Sequence, residues 1–218
     1  MKSCAALLPN RWGWGVTAKP RDLASNIEAA ASPREAIVDA AMRLFGKQGY
    51  TGTSMRDIAG AVGVLPGSLY AHIASKEALL VDIVENGINC FLAAVRPHAE
   101  SDASPADKLR AMMIAHVAIV ADNPERSLVV FHQWRFLGGD NIQAAIGKRR
   151  AYEKAFIGVI EDGMKAGEFR PDLNLRIAVL TILGALNWTP EWLSPAGQLS
   201  PEEVGVLIAD TLLMGVQR

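Results

Sequence analysis

The sequence predicts an all-α protein. Three observations carry that expectation. After residue 31, apolar residues recur at helical spacing in segment after segment; most of those segments open on a Ser or Asn cap or on a Pro; and no stretch alternates apolar and polar residues with period two. Half of the 218 residues are apolar and 21% are charged, enough to bury a core in one large or two small domains.

Residues 1–31 show no sustained period. Pro9, Gly13, Gly15 and Pro20 interrupt them, and Lys2, Arg11, Lys19 and Arg21 make them basic. They read as an arm that tracks DNA or as a leader without a role. Trp12 and Trp14, unusual in a disordered tail, add docking on the body as a third reading. The first helix opens at Ser32-Pro33-Arg34-Glu35, where a cap hydroxyl, a Pro at the first helical position and a Glu three residues after the cap form a complete start signal. Ile37, Val38, Ala41, Leu44 and Phe45 make its apolar stripe, and Gly49 supplies the stop. Ser54 and Asp57 open a second helix with Ile58, Ala59 and Val62 as its buried side, ending at Gly63. A very short third helix is expected over residues 66–73, and Ser75 caps a fourth that begins at Lys76. Further helices are expected over residues 104–121, 124–137, 140–166, 174–188 and 200–216, with Gly167 closing the long charged one. The expected organisation is an arm (1–31), a helix-turn-helix unit (32–84) and a helical body (85–218).

Composition narrows the function classes. The longest uncharged apolar run, residues 177–188, is shorter than the roughly 20 residues a membrane crossing takes, despite a mean hydropathy of +0.15. The apolar run at the N-terminus is cut by Pro9, so no secretory leader is expected. Cys4 and Cys90 form no disulfide framework, which makes a reducing cytoplasm the default compartment. Net charge is −1, but residues 1–80 hold nine Lys and Arg against six Asp and Glu, while the remainder holds thirteen against seventeen. That asymmetry suits a basic DNA-facing part on an acidic body. No HExxH, phosphate-binding loop, dinucleotide fingerprint or GxSxG elbow is present, so an enzyme has no catalytic constellation to work with. His116, His132 and Glu125 lack metal-ligand spacing, and no metal or cofactor is expected. A protein-interaction module is the other alternative.

Two short helices joined by Gly63-Val64, the second about two turns long, have the proportions of a helix-turn-helix, whose second helix enters the major groove. The residues are more particular than the pattern. Gly49-Tyr50-Thr51-Gly52-Thr53-Ser54-Met55-Arg56-Asp57-Ile58-Ala59, then Ala61-Val62-Gly63-Val64, Gly67-Ser68-Leu69-Tyr70-Ala71-His72 and Lys76-Glu77-Ala78-Leu79 closely resemble the DNA-binding domain of TetR-family transcriptional regulators. The resemblance implies a ligand-responsive DNA-binding regulator, most often a repressor, with a helical ligand-binding and dimerisation domain behind the DNA-binding one. It places Tyr70, His72 and Lys76 on backbone phosphates and Arg56, Pro66, Gly67, Ser68 and Ala71 at the bases, with Ser54 as a further DNA-binding candidate. Arg56 is the best base reader, because a guanidinium bonds guanine O6 and N7 together. Two positions depart from the family pattern. Leu65 stands where a Ser-like cap is usual, and Ala71 replaces a larger residue. With Pro66 they favour apolar contact with thymine methyls.

In the body, the apolar Met113, Phe131, Trp134 and Phe156, with His116 and Tyr152, are candidates to line a pocket or simply to fill the core. The last two helices carry Gly184 and Trp188, and Leu207, Ile208, Thr211, Leu212 and Gly215, on faces that suit either core packing or the four-helix dimer interface implied by the resemblance. The segment from Gly184-Ala185-Leu186-Asn187-Trp188 to Leu199-Ser200-Pro201-Glu202-Glu203 is similar to acyl-CoA-responsive repressors of fatty-acid and sterol breakdown. That similarity implies a lipophilic effector, with an acyl-CoA whose phosphates meet Lys148, Arg149 and Arg150 as one candidate; a solvated basic face, and a free lipophilic acid or an aromatic drug as effector, are the alternatives.

Overall fold

A computed structural model describes residues 32–194 and 197–217. The N-terminal arm lies outside the described residues. The elements are α1 (Pro33–Gln48), α2 (Met55–Val62), α3 (Pro66–Leu69), α4 (Lys76–Ala99), α5 (Pro105–Asp122), α6 (Pro124–Leu128), α7 (Gly139–Ala166), α8 (Leu175–Asn187) and α9 (Pro201–Val216). Among the described residues there is no strand; Phe169 and Gln217 form one isolated bridge.

The start signals act as the sequence implies. Ser32, Ser54, Ser75, Ser104, Asn174 and Ser200 each accept a hydrogen bond from the backbone N–H three residues on, satisfying one of the donors a helix leaves open. At Ser54 and Ser200 the acidic side chain of Asp57 or Glu203 reaches back to close a capping box. Gly63 ends α2 at φ 76°, the left-handed conformation that lets the chain reverse into α3.

α2 packs on both α1 and α3, and α1 packs on α4, which runs without a break into the body. There α5 lies against both α4 and α9, and α7 against α4, α5 and α8. One apolar core extends from Ile37 and Phe45 in α1, through Phe91, Met112, Met113 and Phe156, to Val216 in α9. α4 has 24 residues and is apolar enough in composition to cross a bilayer, a feature that uncharged runs alone do not reveal. Its acids are engaged within the protein, Asp82 with Arg34 and Glu85 with Lys148 at 3.1 Å. Its apolar face, including Leu79, Leu80, Val84 and Val95, is buried in the core.

Two expected helices differ from those observed. Residues 124–137 are not one helix. α6 gives way to a π-helical stretch (Val129–Gln133) and then to a 3-10 turn (Trp134–Phe136). The reason lies in α4: Gly87 leaves a notch in which Val130 is seated, so close that a Cβ on Gly87 would come within 2.2 Å of Val130 Cγ2. Arg149 also donates to the Val130 carbonyl at 3.4 Å. Packing thus sets the register at the expense of the regular ladder. The third helix is also shorter than expected. It ends at Leu69, and its continuation tightens into i→i+3 bonds, Ala71 N–H to Ser68 O at 3.3 Å and His72 N–H to Leu69 O at 2.9 Å.

Candidate nucleic-acid interface and apolar cavity

α2, the Gly63 turn and α3 present one exposed surface. Residues 63–68 and 70–72 are exposed without a gap, and Leu69, fully buried, anchors the strip between them. Arg56 is exposed and makes no hydrogen bond or ion pair among the described residues, so its guanidinium is available. Tyr70 is 58% exposed, and Pro66, Gly67, Ser68, Ala71 and His72 share its surface. The Ser54 hydroxyl is already at work as the cap of α2, and its bonds hold the Asp57 carboxyl below the usual carboxylate range.

Lys76 has a further occupation. Its Nζ donates to the carbonyls of Tyr50 at 2.9 Å and Thr53 at 2.8 Å and lies 4.3 Å from the centre of the Tyr50 ring. Two of its three ammonium protons therefore tie α4 to the loop between α1 and α2, leaving one for an outside anion. The Tyr50 N–H donates to Gln133 Oε1 at 3.0 Å, and the Tyr50 ring stacks on Phe136 with centroids 5.7 Å apart. The π-helical stretch and the 3-10 turn thereby touch the DNA-facing unit directly.

The other end of the same stretch lines a cavity of about 180 Å³ in the body. Ile88 and Phe91 of α4, Val130 and Phe131, and Leu180 and Leu183 of α8 form its apolar wall. Arg149, Tyr152, Glu153 and Asn187 supply its polar groups. The Asn187 Oδ1 is buried without a hydrogen-bond partner. Arg149 lies 4.9 Å from the centre of the Trp134 ring, and its burial lowers the guanidinium pKa from its ordinary value, with Glu153 opposing.

Of the pocket candidates, Phe131, Arg149 and Tyr152 line this cavity. Met113, His116 and Phe156 are buried in the core behind it, and Trp134 supports Arg149 from outside the lining. The basic triplet does not converge. Lys148 pairs with Glu85 at 3.1 Å and Arg150 faces solvent, so the three do not form one joint cradle, and of the triplet only Arg149 lines the cavity. Neighbouring residues on a helix point about 100° apart, which forbids the shared site. Gly184, expected at a subunit interface, contributes to the rim of the cavity. Sequence reasoning missed Glu153 and Asn187. The spacing of Glu153, four residues after Arg149, is the signal that would have found it.

Behind the wall, the Tyr152 hydroxyl and His116 Nδ1 are 2.7 Å apart. Burial pushes the His116 imidazole down to about 3 and the Tyr152 phenol up, so both are neutral at pH 7.

On α8 and α9 a second surface is apolar and uncovered: Ile177 is 59% exposed, Leu180 52%, Trp188 57%, Leu207 52% and Met214 80%. Thr211, Gly184 and Gly215 are exposed with them, whereas Ile208 and Leu212 are half-buried against the protein's own core.

Comparison with known proteins agrees with both ends of the molecule. Residues 37–83 match the family described as bacterial regulatory proteins, tetR family, and residues 102–216 match the tetracyclin repressor-like C-terminal domain. The transcriptional repressor KstR2 of Mycobacterium tuberculosis is 26% identical over 188 residues, 86% of this chain and 94% of that protein. The solved structure of that ketosteroid transcriptional regulator superposes with a TM-score of 0.81 at 25% identity, over 87% of this chain and 97% of its own. The TetR-family regulator PfmR of Thermus thermophilus gives 0.75 at 30% identity, over 84% and 99%. AibR, solved with isovaleryl coenzyme A and operator DNA, gives 0.74 at 27% identity, over 85% and 98%. A helix-turn-helix with an open recognition face and a helical body with a cavity occur here in one chain that both halves of the family description match; it belongs to the TetR family of transcriptional regulators, not to any class of enzyme.

Proposed function

We propose that the chain is a homodimeric repressor that holds a palindromic operator in the cytoplasm and releases it when a lipophilic acyl compound enters the cavity between α4, α7 and α8. The observation that carries this reading is the connection between the two sites. The stretch that gives Val130 and Phe131 to the cavity also gives Gln133 and Phe136 to Tyr50, beside the recognition face. Residues 32–84 act as the DNA-binding unit and residues 85–218 as the ligand-binding and dimerising one, with α4 shared across the boundary. Tyr70 and His72 meet phosphates, Lys76 contributes its remaining proton, and Arg56 with residues 66–68 and Ala71 faces the bases.

Two features support an acyl effector. The cavity is mainly apolar, with a single cation, Arg149, in its lining. AibR, similar over most of its length, was solved with an acyl coenzyme A and operator DNA together. Arg149 and the unpartnered Asn187 oxygen offer a donor and an acceptor to the polar end of such a ligand. The exposed faces of α8 and α9 support the dimer. The test is release of a fluorescent promoter duplex by a panel of acyl-CoA thioesters beside their free acids, with wild-type protein and an Arg149→Met variant. Release by at least one acyl compound, with a half-effective concentration raised about tenfold or more in the variant, is expected from the loss of a charge-assisted hydrogen bond. No release by any compound, or an unchanged response of the variant, contradicts the role given to the cavity.

A further inference from the structure

The tip of the recognition face is apolar where a polar group would serve the fold better. Leu65 occupies the cap position of α3 with φ −69° and ψ 144°, and no side-chain hydrogen bond closes that end. Most other helices have a polar side chain at this position: Ser32, Ser54, Ser75, Ser104 and Ser200 cap α1, α2, α4, α5 and α9, Asn123 and Asn174 cap α6 and α8, and only α7, behind Gly138, also starts without one. At α3 the chain gives up the hydroxyl and leaves a leucine 76% exposed, beside Val64 at 39% and an exposed Pro66. No charged residue lies between Gly63 and Leu69. Two nearby cations are already engaged, Arg34 with Asp82 and Lys76 with the Tyr50 and Thr53 carbonyls. Polar and cationic groups flank the tip instead: Arg56 on α2, and Tyr70 and His72 beyond α3. This arrangement fits a surface whose rim meets phosphates and whose centre meets something apolar. In the major groove the apolar feature is the C5-methyl group of thymine.

We propose that Leu65, flanked by Val64 and Pro66, is a specificity-determining residue that seats against thymine methyl groups in each half-site. The inference rests on the operator-binding reading and adds to it which chemical feature of the DNA is read, and by which residue. It also explains the missing cap, since a serine in this place would stabilise α3 but leave the methyl group unmatched.

The experiment starts from a duplex selected by the wild-type protein from random DNA. Each symmetric pair of thymines is then replaced by deoxyuridine, which removes the methyl group and leaves the base-pairing edge intact. One buried methyl is worth about fourfold in affinity, so substitution at the contacted pair, one thymine per half-site, is expected to weaken wild-type binding by about fifteenfold. Leu65→Met keeps the apolar contact and retains the discrimination. Leu65→Ser, which adds a cap hydroxyl and so does not sacrifice the fold, binds the thymine and deoxyuridine duplexes equally. Deoxyuridine tolerated within twofold at every pair, or full discrimination by Leu65→Ser, overturns the inference. A Leu65→Ser variant that changes self-association while keeping the discrimination overturns it too, and assigns the tip to protein contact. A wild-type protein that selects no duplex at all fails the operator-binding reading itself; one that binds tightly and ignores the methyl group fails only this inference.

Discussion

His116 has no exposed surface, and its imidazole, pushed from 6.5 down to about 3, stays neutral while the same side chain in the unfolded chain takes up a proton. The contribution is therefore fully present above about pH 6.5 and is lost as the pH falls towards 3. Within that window the unfolded state binds one more proton than the native state, a slope of up to about 1.4 kcal/mol per pH unit. Denaturant melts between pH 7 and pH 4 are expected to show a His116→Gln variant with a slope lower by that one proton; equal slopes would refute the account of His116. Arg149 shows what single residues in a sequence conceal. Three consecutive basic residues look equivalent as text, yet α7 sends one into the cavity, one to Glu85 and one to solvent. Which of the three turns inward is set by α4 and α8, far away in the chain.

Elements bounded by their own caps were legible, because a serine hydroxyl, a proline and an acid at fixed offsets act within one turn of chain. α1, α5, α8 and α9 lie within a residue or two of their expected bounds for that reason. The break after α6 was not legible. It depends on the Gly87 notch, about forty residues earlier, and on Arg149, nineteen residues beyond Val130. The same stretch joins the cavity to Tyr50, so that connection was as hidden as the break. A Gly87→Ala substitution puts a methyl group against Val130 and is expected to cost about 1–3 kcal/mol through overpacking. Thermal melts check this directly; an unchanged midpoint means that the notch does not hold the stretch in place.

Across the whole molecule, charge and apolar surface are sorted differently from the expectation of a basic domain on an acidic body. Residues 32–84 balance Arg34, Arg43, Lys47, Arg56 and Lys76 against Glu35, Asp39, Asp57, Glu77 and Asp82. Most of the positive excess of the N-terminal part thus lies in residues 1–31, where Lys2, Arg11, Lys19 and Arg21 stand against Asp22 and Glu28, outside the described residues. Recognition by such a neutral unit depends more on fit than on field, and a palindromic fit needs two copies held at a fixed spacing of about 34–36 Å. The uncovered faces of α8 and α9 offer the means, and Leu207 is the residue with which to break them, since Leu212 is packed partly into its own core. Sedimentation of the protein with a selected palindromic duplex therefore tests the central claim most directly. Two chains per duplex are expected for the wild type, and a folded monomer that leaves the duplex free is expected for Leu207→Arg; a single chain bound per duplex, or a monomeric variant that binds as tightly as the wild type, would contradict the account.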